Sequence, residues 1–279
     1  MTWWCVARDT PWTWQWQAYP GVWLFVGGLV VAYATFARRF GARERTGGAR
    51  AVPREALGFS LGVLAVWLAA DWPIGALGAG YLASVHTVQF LLFTMLAPPL
   101  LLAGAPRGAL RAASAASPRF RRVASVVSYP PLALAAFTAV LVATHVPPVV
   151  DTFKQTQLGS FAFDVTWLLA GIVLWWPACQ PLPEVRPLAY PARIGYLALA
   201  AVAMVAPSAF LTFARFPLYA TYELAPRIGL LSAANDQQIA GLAMKSASGL
   251  VLITAMSILF FRWQREDASP TRAAHESIA

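Results

Sequence analysis

Charge is scarce in this chain. Asp, Glu, Lys and Arg make up 12% of its 279 residues, about half the share found in soluble domains. So few charges cannot coat a soluble surface of this size, which excludes an ordinary globular domain and points to an integral membrane protein. Cysteine is nearly missing too. Cys5 and Cys179 stand alone, without a CxxC or a Cys/His cluster, so neither a disulfide scaffold nor a thiolate zinc site can be read. The first 18 residues, MTWWCVARDTPWTWQWQA, lack a basic stretch followed by an apolar one, and no cleaved signal peptide is expected. No nucleophile–base pair, bis-His haem pair or metal triad is legible in the spacing, so the chain reads as a non-enzyme.

What is abundant is apolar sequence, with 58% hydrophobic residues and 12 tryptophans. Apolar runs cover Tyr19–Phe36, Ala56–Trp72, Tyr81–Leu102, Ser125–His145, Leu158–Trp176, Ile194–Phe213 and Gln237–Phe261. Each is close to the roughly 20 residues that cross about 30 Å of hydrocarbon. The fold class expected is therefore all-α and polytopic, with seven transmembrane helices. Residues 1–18 carry five tryptophans and read as an interfacial N-terminus, 19–263 as the membrane domain and 264–279 as a disordered tail.

The net charge of +9 does not signal nucleic acid, because the basic residues lie between the apolar runs. Sixteen fall on one side: Arg38, Arg39, Arg43, Arg45, Arg50, Arg54, Arg107, Arg111, Arg119, Arg121, Arg122, Arg186, Arg193, Arg262, Arg265 and Arg272. Only four, Arg8, Lys154, Arg215 and Arg227, fall on the other. That bias predicts an outside N-terminus and a cytoplasmic C-terminus. It also puts the two cysteines on opposite sides, where they do not pair.

Polar groups inside the runs are few. Asp164 and Lys245 each lie roughly 9–14 Å below the outer end of their spans. They are candidates for an ion pair, with a snorkelling lysine as the plainer alternative. His86 sits below the outer end of the third span, and His145 closes the fourth. Asp236 opens the seventh, where a carboxylate also suits a helix N-terminus. All of these fall in the outer half, which suggests a site opening outward. Met244 and Met95 are soft atoms that could meet copper, or simple packing. Pro98-Pro99 and Pro207 break or kink their spans and read as architecture.

Four stretches, in order, resemble the CtaG family of caa(3)-type oxidase assembly factors. They are SVHTVQFLLFTMLAPPLLLAGAP (Ser84–Pro106), HVPPVVD (His145–Asp151), GIVLWWPACQP (Gly171–Pro181) and DQQIAGLAM (Asp236–Met244). The resemblance implies a seven-span factor that assists assembly of an aa(3)-class haem–copper cytochrome c oxidase, with oxidase subunits or other assembly factors as partners. It implies copper as the ion handled, His86, His145, Asp236 and Met244 as its ligands, and Gln89, Gln237 and Gln238 as polar support. Relatives commonly carry a second His where this chain has Phe90, a His in the fifth span where Asp164 stands, and Trp where Lys245 stands. A copper or small-solute transporter is the competing reading. A retinal-binding photoreceptor using Lys245, with Asp164 as counter-ion, is a remote one.

Overall fold

The computed structural model describes residues 2–41, 52–182 and 184–276. Arg43, Arg45 and Arg50 of the arginine-rich side, and the last three residues of the tail, lie outside the described residues. Among those described there is no strand. The helices are α1 (Pro20–Gly41), α2 (Val52–Ala70), α3 (Ile74–Gly80), α4 (Ala83–Leu91), α5 (Ala97–Ala103), α6 (Arg107–Ala116) and α7 (Pro118–Val127). They continue with α8 (Pro130–Ala143), α9 (Pro147–Lys154), α10 (Gln157–Cys179), α11 (Tyr190–Ala203), α12 (Val205–Phe213), α13 (Ala220–Glu223) and α14 (Ala233–Glu276). Five helices are long and apolar enough to cross a membrane, and seven if each of two bent pairs forms one span. Prolines open α1, α7, α8 and α9, where the missing N–H would have no intrahelical partner.

Two of the expected runs, the third and fourth, prove to be broken, and the second is followed past its expected end by α3, bent by 46° from α2. Pro73 cannot donate to the Ala69 carbonyl one turn earlier, and Gln89 Nε2 on α4 donates to it instead, at 2.9 Å. The third run is α4, a π-helical turn over Leu92–Leu96, then α5. Pro98 leaves the Thr94 carbonyl without its helical donor, and Trp175 Nε1 on α10 supplies one at 3.0 Å. Gly171 lets α10 come this close: a Cβ there would stand 2.6 Å from Pro98 Cγ and 2.8 Å from the Thr94 oxygen. In the fourth run α7 and α8 meet at 76°, so the arginine-rich connection after α5 is two short helices, α6 and α7.

The break in the third run also changes its neighbours. Before it, α4 packs on α14 and α3; after it, α5 packs on α2 and α10. Gly104 makes the α2 contact intimate, since a Cβ there would lie 2.1 Å from the Phe59 nitrogen. At the C-terminal end, α14 continues through Gln264–Glu276, a stretch expected to be disordered. Gln264, Arg265 and Glu266 are good helix formers, and Tyr190 donates to Glu266 Oε1 at 2.5 Å. The core is one large apolar cluster running along the bundle, with a small second one around Leu110, Ala124 and Leu182 at α6 and α7.

Candidate functional site

Asp236 fixes the start of α4 from the first turn of α14. Its Oδ2 accepts from Ala83 N at 2.6 Å, its Oδ1 from Ser84 N at 3.3 Å, and Ser84 Oγ donates to it as well. A carboxylate at unpaired helix N–H groups stabilises by typically about 1 kcal/mol. Both oxygens are thereby committed. Gln237 beside it clamps the chain reversal after α12, accepting from Leu218 N at 2.7 Å and donating to Leu211 and Phe216 carbonyls.

One turn into α4, His86 is buried, and neither ring nitrogen has a hydrogen-bond partner. Aromatic rings surround it: Trp167 at 4.9 Å, Tyr222 at 5.5 Å and Phe163 at 6.0 Å between centroids. Tyr222 is held by its hydroxyl, which donates to Gly78 O at 2.8 Å. Phe90, one turn further, stands edge-on to both His145 (5.1 Å) and Trp167 (5.3 Å). His145 Nδ1 bonds the Leu141 carbonyl at 2.7 Å, and its own carbonyl accepts from Tyr219 at 3.1 Å. The Nδ1 contact to a carbonyl selects the tautomer that leaves the Nε2 lone pair available.

The ion pair is not the one expected. Asp164 Oδ1 meets Lys154 Nζ at 3.3 Å, while Lys245 is exposed on α14. Lys154 is wholly buried, with its ammonium 5.1 Å from the Phe163 ring and 5.3 Å from that of Trp167. The reason is topological: α9 ends at Lys154 and turns at once into α10, which brings Asp164 back to it two to three turns along. Sequence reasoning counted Lys154 only as a loop charge. The overlooked signal is that Lys154 is the sole cation between Arg122 and Arg186 and precedes the aromatic run FAFD.

The N-terminal segment seals this cluster. Trp4 is buried, and its Nε1 donates to Asp164 Oδ2 at 2.9 Å. Trp3 N donates to Gln157 Oε1 at 2.6 Å, Ala7 N to Lys154 O at 3.0 Å, and Cys5 Sγ to Ala70 O at 3.2 Å. Trp14 and Trp16 are exposed, as an interfacial belt requires, whereas Trp4 turns inward because its N–H has a carboxylate to meet. Burial, then the Asp164 and Asp71 carboxylates, push the Cys5 thiol well up. Beside the seal a cleft of about 410 Å³ opens between Arg8, Gln155 and Thr221.

The structure thus gathers His86, His145 and Asp164 around Phe90 and Trp167, and adds Lys154 and Trp4. Gln89 faces α2, and Gln238 is exposed. Met244 is buried eight residues into α14 from Asp236, roughly 8 Å deeper than His86. Among the described residues no three of His, Cys, Asp or Glu converge on a metal position. A family model described as cytochrome c oxidase caa3 assembly factor (Caa3_CtaG) matches residues 31–266. No curated protein and no solved structure matches the chain.

Proposed function

The chain belongs to the cytochrome c oxidase caa3 assembly factor family, and from that premise we propose that it is a non-enzymatic membrane factor for an aa(3)-class oxidase, passing copper at the outer face of a bacterial plasma membrane. The family match across most of the chain carries the assembly role. The bias of basic residues toward the end of the bundle opposite His86 supports the outward placement of the cluster.

Copper here is cargo rather than a resident cofactor, and the donor chemistry suits a transient hold. His86 has two unpartnered nitrogens in a buried setting, and His145 carries the backbone bond that orients a ligating imidazole. Imidazole suits copper. Asp236 is occupied by α4 and Met244 lies deeper, so the donor set reduces to His86, against Trp167, and His145, edge-on to Phe90. The Lys154–Asp164 pair has no net charge, but its ammonium faces the Phe163 and Trp167 rings that also flank His86 and works against a cation held there, which favours a brief stay over a tight one.

Deleting the gene in copper-limited cells is expected to remove the oxidase's haem spectrum and activity, with added copper restoring both. Normal spectra in that strain would sink the assembly role. Complementation with His86→Ala or His145→Ala is expected to fail only at limiting copper; full complementation by both would remove copper from the proposal and leave a scaffolding role.

A further inference from the structure

A cavity of about 600 Å³ opens at the arginine-rich end of the bundle, remote from His86. It exists because the third span changes partners: α4 stays with α14, but after the π-helical turn α5 follows α2 and α10. The resulting gap is walled by apolar side chains, Leu102 and Leu259 among them. Three guanidiniums line it, Arg107 from the start of α6, Arg193 from α11 and Arg262 from α14.

The arginines are not equivalent. Arg193 donates to the Ala178 carbonyl at the end of α10, which anchors it in place. Arg107 and Arg262 are exposed and have no ion-pair partner among the described residues. Glu55 is the one acid in the lining, so the site keeps a surplus of positive charge. Apolar walls with a cationic mouth, set where helices meet the membrane surface, match a molecule that is itself apolar with an anionic head. Guanidinium is the group that binds phosphate oxygens in bidentate fashion.

We propose that this cavity binds an anionic phospholipid, its phosphate headgroup held by Arg107, Arg193 and Arg262 and an acyl chain lying against Leu102 and Leu259. The site is independent of the copper reading and of the orientation of the chain. It ties α5, α6, α11 and α14 together where the helices otherwise diverge.

The test is native mass spectrometry of the full-length protein in detergent, titrated with phosphatidylglycerol, with phosphatidylcholine, and with phosphatidylglycerol plus excess inorganic phosphate. One retained phosphatidylglycerol per chain is expected, at least tenfold stronger than phosphatidylcholine and not displaced by phosphate. Arg107→Gln/Arg262→Gln, which removes two exposed and unpaired side chains, is expected to weaken retention about thirtyfold. Arg119→Gln/Arg122→Gln, the same charge change on exposed residues of α7, is expected to leave it within about twofold. Equal retention of both lipids, equal loss in the two double variants, or displacement by inorganic phosphate overturns the proposal, the last in favour of a soluble anion.

Discussion

Replacing Lys154 by methionine isolates the energetics of the buried cluster. The substitution keeps the apolar stem against Phe163 and Trp167 but removes the ammonium 3.3 Å from Asp164. Asp164 then remains as a carboxylate 2% exposed, with the Trp4 indole as its one remaining donor. Breaking one side of a buried pair costs about 3–5 kcal/mol. A retained hydrogen bond to a charged group contributes about 1.5–3 kcal/mol, which holds the loss near the lower figure. At about 2–4 °C per kcal/mol, the melting temperature in detergent should fall by about 6–12 °C. The double variant Lys154→Met/Asp164→Leu removes both charges and should recover to within about 1 kcal/mol of the parent. The readout is thermal unfolding followed by tryptophan fluorescence. A single variant as stable as the parent, or a double variant no better than the single, would falsify the coupling.

Lys245→Leu gives the contrast: on an exposed face of α14, without an ion-pair partner among the described residues, its loss should not lower stability, which the same melt decides. Gly171→Leu should cost at least about 1–3 kcal/mol, because its Cβ enters the space of Pro98 and Thr94, and a normal yield of folded protein would contradict that. Trp175→Phe leaves the Thr94 carbonyl without its donor and should cost about 1–3 kcal/mol, to be compared with a neutral Trp14→Phe. Cys5 should resist maleimide in the native protein as pH rises through its ordinary value of 9.0, and react on unfolding. The native state holds the thiol proton more tightly than the unfolded chain, so stability present below that pH declines above it. Denaturant midpoints flat across that range would refute the assignment.

How much of this could be read from residues alone differs between helices and contacts. The apolar runs locate the helices well, because a hydrocarbon interior demands continuous apolar length. The bends are harder to see. Pro73 and Pro98 mark them, but whether a proline breaks a span depends on distant donors, Gln89 and Trp175, that no local pattern names. Ion pairing was misread for a related reason. Charge was assigned by position in a run or a connection, and Lys154 lies in a connection whose tight turn folds it inward. Asp236 was legible as a helix N-terminus residue, yet the N–H groups it caps belong to α4 rather than to its own helix.

The seal over the cluster also carries a consequence for biogenesis. Trp4 and Asp164 are 160 positions apart, so the contact between them cannot form until α10 has been inserted. The segment that comes early in the chain is therefore the one that closes the cluster late, after Lys154 and Asp164 have met across their short turn. Until then Asp164 lacks the Trp4 indole that covers it. A chain halted before α10 has no closed chamber, whatever helices it has already laid down, and quality control that senses exposed charge in the membrane would find Lys154 uncovered.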